Sequence, residues 1–197
     1  MKHFALLALF PLAACTPETP APSGFAAADA APAARFFDRL SDLCGRAFAG
    51  RLVSSDEADI EMAGEPMVMH VRTCSEDEIR IPFHIGTDRS RTWVISRTAT
   101  GLRLKHDHRH EDGSEDAVSQ YGGDTVSAGS AQRQEFPADD FSKALFEREG
   151  LAVSTANVWA MEVDPGSAFA YELRRTERFF RVEFDLATPV ATPDDPW

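Results

Sequence analysis

Residues 158–186 read VWAMEVDPGSAFAYELRRTERFFRVEFDL, and this stretch decides the fold class. In its last part Phe180, Val182, Phe184 and Leu186 alternate with Arg181, Glu183 and Asp185. A period of two places the apolar set on one face of a strand and the charged set on the other. Trp159, Met161 and Val163 alternate in the same way, and Asp164-Pro165-Gly166-Ser167 supplies a turn before the run 168–173. Two hairpins in succession, each with one apolar face, predict an antiparallel sheet.

The same rhythm extends upstream. Strand-like runs at 47–54, 58–62, 67–73, 78–85, 92–98 and 102–110 are separated by breaks rich in Gly, Asp, Ser and Glu. Trp93 with Ile95, and Leu102 with Leu104, form further inward pairs. Two helices frame the strands. Pro32 opens the first, in which Phe36, Leu40, Leu43 and Cys44 recur at helical spacing and Gly45 provides a stop. The second covers 138–149, with Asp139 and Asp140 in its first turn and Gly150 after it. Residues 119–134, with Gly122, Gly123 and Gly129, read as a long loop or irregular edge. The expected class is mainly β: an antiparallel meander of about eight to ten strands closing into a barrel, with an N-terminal helix and one late helix.

The chain has 197 residues and a formal net charge of -12. That sign excludes a phosphate-tracking nucleic-acid binder and a domain held electrostatically on anionic lipid. No G-x-S-x-G, P-loop or G-x-G-x-x-G motif occurs. The chain opens MKHFALLALFPLAAC, with a short basic start and a nine-residue apolar run. The run is too short to span a bilayer and is followed by Ala13 and Ala14 ahead of Cys15, the order of a secretory signal. The ending Leu12-Ala13-Ala14-Cys15 resembles the bacterial lipoprotein signal. That resemblance implies cleavage before Cys15, lipidation of its thiol and, with Thr16 next, an outer-membrane lipoprotein facing the periplasm; plain secretion is the alternative. The expected organisation is a signal peptide at 1–14, a lipidated Cys15 with a Pro/Ala-rich tether to residue 32, a β domain at 33–188 and a loose tail at 189–197.

In an oxidising compartment Cys44 and Cys74 are expected to form a disulfide. A thiol nucleophile with a histidine base, or two buried free thiols, are the other readings. His106, His108 and His110 continue the face of Leu102 and Leu104 at a spacing of two. Imidazoles so placed can converge on Zn²⁺, with Asp107 or Glu111 behind them and His70 or His84 completing the set. Against this stands the reading that the strand end merely emerges from the core with half-exposed, carboxylate-paired histidines. Trp93, Trp159 and Tyr121 are candidates for lining a ligand pocket, and Gln120-Tyr121-Gly122-Gly123-Asp124 for a binding loop.

A helix, a long meander, a late helix and a final strand resemble the calycins, the lipocalins and their relatives. In that group a Gly-x-Trp in the first strand is covered by an Arg near the last; here the counterparts are Gly45-Arg46-Ala47-Phe48 and Arg181. The run 105–125, KHDHRHEDGSEDAVSQYGGDT, resembles an uncharacterised family of short secreted bacterial lipoproteins. The resemblances imply a barrel and a membrane anchor, and no particular reaction. The readings carried forward are a non-enzymatic envelope lipoprotein that binds a small apolar ligand, a Zn-dependent protein built on the histidine strand, and a structural envelope adaptor.

Overall fold

The computed structural model describes Met1 and residues 31–197. The segment expected to be a signal peptide (beyond Met1), Cys15 and nearly all of the expected tether lie outside the described residues. Within them the protein is mainly β, an antiparallel sheet almost closed into a barrel. Helix α1 (Pro32–Ser41) leads into β1 (Ala47–Leu52). A short 3-10 turn (Glu57–Asp59) and α2 (Ile60–Ala63) precede β2 (Met67–His70), β3 (Thr73–Cys74), β4 (Glu78–Ile85), β5 (Asp88–Arg97), β6 (Leu102–His108) and β7 (Tyr121–Asp124). Then come β8 (Arg133–Pro137), α3 (Asp140–Arg148), a second 3-10 turn (Ala152–Ala156), β9 (Val158–Asp164), β10 (Ala168–Arg175) and β11 (Arg178–Val190).

Around the sheet the order is β7-β6-β5-β4-β2-β1-β11-β10-β9-β8, with β3 paired to β4. First and last strands therefore close the ring, and the gap falls in the middle of the chain, between β7 and β8. The alternation in residues 158–186 is realised. Phe169, Val182 and Phe184 are at most 1% exposed, as are Trp159, Met161 and Val163. Phe48, Ile79, Ile81, Ile95 and Leu104 meet them from the other strands, so most of the barrel interior is packed with side chains. Helix α1 inserts Phe36, Phe37 and Leu40 at the end where β5 finishes. There the Arg97 guanidinium lies 4.1 Å from the Phe37 ring centroid and pairs with Asp38 at 2.7 Å.

The gap is closed by the start of α3 in place of a strand ladder. The Asp139 N–H donates to the Gly122 carbonyl at 2.9 Å, and the Gly122 N–H donates to Ser142 Oγ at 2.7 Å. Asp139 also caps the helix, accepting from the Ser142 N–H at 2.8 Å, and pairs with Lys105 of β6 at 2.6 Å. This requires two backbones to approach without side chains between them. A Cβ on Gly122 would lie 1.9 Å from the Leu104 carbonyl oxygen, and one on Gly123 would lie 1.8 Å from that of Pro137. Gly122 and Gly123 thus lie in the edge strand β7, Gly122 against β6 and Gly123 at the seam, and Gly129 lies in the segment that follows it.

Other expectations are corrected. Residues 58–62 form a 3-10 turn and α2, not a strand. The Asp56 carboxylate caps them by accepting the Ala58 N–H at 3.0 Å, and Arg178 holds Asp59 with two contacts of 2.6 Å. The tail expected to be loose is held. Val190 and Pro189 pair with Ala47 and Phe48, the Trp197 N–H donates to the Arg89 carbonyl at 3.2 Å, and Asp195 pairs with Arg72. Arg181 does not cover Phe48. It lies on the outer face, where Arg181 and Arg133 each bind both Glu162 and Glu172, bracing β8 to β11. The cation near Phe48 is Arg46, 5.6 Å from the ring centroid.

The disulfide between Cys44 and Cys74 is present and joins the turn after α1 to β3 across 30 residues. Replacing both by Ala should lower stability in denaturant titration by about 3–4 kcal/mol, the loop-closure value for that separation. Gly123→Ala should cost about 3 kcal/mol or more because the Pro137 carbonyl cannot retreat. Gly64→Ala, with open space around the added carbon, should stay within about 0.5 kcal/mol; equal effects of the two would remove the seam's steric basis.

Candidate functional site

Opposite α1, at the end where β5 begins and β6 finishes, the packed interior gives way to a cavity of about 150 Å³. Strand parity sets its walls. Arg91, Trp93 and Ile95 share one face of β5, and Arg91 stands opposite His108 in the pairing with β6 while Trp93 stands opposite His106. Tyr121 comes from β7, Tyr171 and Leu173 from β10, Phe180 and Arg178 from β11, and Phe83 from β4. Asp59 and Met62 reach in from the capping segment, which the Arg178–Asp59 pair fastens to the β10–β11 turn.

The aromatic groups are mutually stacked. Trp93 lies between Phe83 (centroids 4.8 Å, planes 16° apart) and Tyr171 (4.5 Å, 24°). His106 stacks on Tyr121 at 4.5 Å and 16°. Trp159 sits behind, 5.1 Å from His106 and 5.5 Å from Tyr121. Such contacts add rigidity beyond simple area burial.

Hydrogen bonding fixes the His106 tautomer. Its Nδ1 is 3.1 Å from the Tyr121 carbonyl oxygen, which can only accept, so Nδ1 carries the proton. Burial drives the His106 pKa down to about 3, with neighbouring His108 adding to the shift, so the ring is neutral at physiological pH. Nε2 therefore accepts from the Tyr171 hydroxyl at 2.8 Å. His108 is pushed down to about 4, first by burial and then by Arg91, and its Nε2 is 3.1 Å from the Tyr121 hydroxyl. Burial raises both tyrosine hydroxyls above their ordinary pKa. The site holds neutral rings and protonated phenols, with charge confined to its rim.

The structure does not bring His106, His108 and His110, the residues of the metal reading, together as a ligand set. Both His106 nitrogens are engaged within the protein. His110 lies past the end of β6, with its side chain 57% exposed and 3.8 Å from Asp116. Asp107 faces the outside of the sheet, paired with Arg80 at 2.6 Å and Arg109 at 3.1 Å. His70 and His84 are buried under the C-terminal tail, away from the histidine strand. Among the described residues no group of three or more His, Cys, Asp or Glu is placed to hold a metal ion.

Of the three candidates for a ligand pocket, Trp93 and Tyr121 line the cavity, while Trp159 packs behind them. Arg91, Arg178 and Tyr171 were not singled out in the sequence. Parity could have found them: Arg91 precedes Trp93 by two, Arg178 precedes Phe180 by two, and Tyr171 alternates with Phe169 and Leu173. Comparison with protein-family models, curated proteins and solved structures finds no match for this chain.

The buried histidines generate an acid sensitivity with a defined sign. Below pH 6.5 the unfolded chain protonates these rings and the folded protein does not, so the unfolded state binds more protons. Stability should fall as pH drops from about 6.5 toward the folded values near 4 and 3. The fall is about 1.4 kcal/mol per pH unit for each fully excluded ring. His70 and His84, also lowered by burial, act in the same direction. Carboxylates such as Glu135 and Asp139, whose pKa is lowered in the fold, contribute only near and below their ordinary values of 4.5 and 3.8. Thermal melts between pH 6.5 and 4.5 should therefore show a slope that shrinks in His108→Gln. An unchanged slope would place the His108 ring in solvent.

Proposed function

We propose that this chain is an exported envelope lipoprotein, anchored through Cys15, whose barrel binds one small and mainly apolar ligand without transforming it. The observation carrying the binding part is the mouth cavity, a rigid aromatic recess with a few convergent polar groups at its rim, the usual character of a small-molecule site. Its size sets the scale of the ligand. An apolar cavity of about 150 Å³ holds a molecule such as benzene, whereas drug-sized ligands need about 300 Å³ or more. A fatty-acyl chain is too large for it, and the filled interior beneath leaves no room for one. Neutral histidines committed to tyrosine and backbone partners supply positioning more readily than proton transfer, which favours binding over catalysis.

The export part rests on the Lys2 start, the short apolar run and the Ala13-Ala14-Cys15 ending. The Cys44–Cys74 bond agrees with an oxidising compartment. Among the described residues no helix is long and apolar enough to cross a membrane, so a lipid on Cys15 would supply the anchorage through buried methylenes, each worth about 0.8 kcal/mol.

One experiment addresses both parts. The full-length chain expressed in a Gram-negative host should incorporate labelled palmitate and fractionate with membranes, and Cys15→Ala should abolish both. Protein purified from those cells should bind benzene-sized aromatic compounds saturably in calorimetry, and Met62→Trp, which fills the mouth, should abolish that binding. Cytosolic residence of an unlabelled chain would overturn the export reading. Binding that survives Met62→Trp, or no binding at all, would overturn the site.

A further inference from the structure

Arg91 is the one feature of the mouth that an apolar ligand leaves unexplained. Its strand parity is inward, shared with Trp93 and Ile95, so the chain places a guanidinium at the top of an aromatic recess. Its side chain is 32% exposed, so it stands at the rim, where its guanidinium is open to a ligand from solvent. The other cation at the mouth, Arg178, is fully engaged: two contacts of 2.6 Å to Asp59 and one of 3.1 Å to Asp56. Arg91 is engaged differently. Among the described residues it makes one hydrogen bond, from Nη1 to Asp88 at the start of its own strand. A guanidinium offers two edges, and Asp88 occupies the Nη1 side. The edge formed by Nε and Nη2 has the fork geometry that matches a carboxylate bidentately.

The neighbours of Arg91 fit the same occupant. His108 stands opposite it in the strand register and, with Nε2 taken up by the Tyr121 hydroxyl, keeps its Nδ1 for a ligand. Asp59, the carboxylate that lines the cavity, is consumed by Arg178. Asp88 and Asp116 also lie near His108, so the donor edge of the rim is supplied by Arg91, above a wall of stacked rings. A cavity of about 150 Å³ admits one six-membered ring, as in the engineered cavity of similar size that takes benzene.

We propose that the barrel mouth is a receptor for a single-ring aromatic carboxylate, its ring in the aromatic recess and its carboxylate on Arg91. This rests on the ligand-binding reading of the cavity and adds the charge and shape of the occupant. Arg91 is then the specificity-determining residue, because a neutral isostere keeps every ring contact and loses only the charge-assisted pair.

The test uses benzoate, benzamide and hexanoate as probes in calorimetry against the purified full-length chain, Arg91→Gln and Met62→Trp. Benzoate should bind the parent roughly ten- to a hundredfold more tightly than benzamide, the ratio expected of a hydrogen bond to a charged group. Hexanoate, with the charge and no ring, should also bind more weakly than benzoate. In Arg91→Gln benzoate should fall to the affinity of benzamide, while benzamide itself is unchanged. Equal binding of benzoate and benzamide by the parent, or benzoate affinity unaltered in Arg91→Gln, overturns the carboxylate assignment and leaves the aromatic cavity standing. Loss of every probe in the parent, or benzoate binding that persists in Met62→Trp, overturns the cavity as a ligand site altogether.

Discussion

The peptide group of Gly122 is the point on which the barrel depends. Its carbonyl accepts from Asp139, its N–H donates to Ser142, and both partners belong to the start of α3. A sheet that runs in sequence order around a ring must meet itself twice if it is interrupted. Here β1 and β11 join by an antiparallel ladder with a register shift between Phe48 and Gly50, and β7 and β8 form no ladder. A helix N-terminus carries unpaired N–H groups that need acceptors, and an unpaired strand edge carries carbonyls that need donors. The seam satisfies both at once. Gly123, by carrying no Cβ, lets β7 come close enough to Pro137 and Asp139 for it to form, while Gly122 allows the same approach to the Leu104 carbonyl of β6.

The mouth follows from that seam. Tyr121 is the residue before Gly122, so anchoring the Gly122 peptide also sets Tyr121. Its ring is laid over His106, its carbonyl fixes the protonated nitrogen of His106, and its hydroxyl reaches His108. Phe146 of α3 then packs on Tyr121 from behind at 5.3 Å. Within the histidine row, His106 therefore has both ring nitrogens taken up by tyrosine partners. In a dry aromatic setting a neutral imidazole with two hydrogen-bond partners is a structural element, and its donor set is already spent.

Charge is sorted by face. Inside, ionised groups occur only at the rim, where Arg178 and Arg91 meet Asp59 and Asp88. Outside, alternate residues of β8 to β11 form a lattice in which two arginines, Arg133 and Arg181, each serve three glutamates. Networks of this kind support a sheet better than isolated surface pairs do. They also explain Arg181. Its parity opposes that of Phe180 and Val182, so it had to face solvent, and a packing role over Phe48 was closed to it. The segment at residues 57–63 departs from its strand-like reading for a related reason. Ala58, Ile60 and Met62 alternate as a strand would, yet Asp56 offers a local cap and Asp59 finds a buried guanidinium more than a hundred residues away.

Hydrophobic alternation and turn residues determined the mainly β class, the inward faces and the helices at 32–41 and 140–148, because each of these is a local or near-local property of the chain. Period two assigns a residue to a face whatever its partner turns out to be. The tertiary structure alone decided where the ring opens, which glycines close it, which end of the barrel is plugged by α1 and which side chains line the other end. Those outcomes depend on the approach of segments far apart in sequence. Arg91 and Tyr171 become neighbours of one cavity only after β5 and β10 have curled to opposite sides of the same mouth.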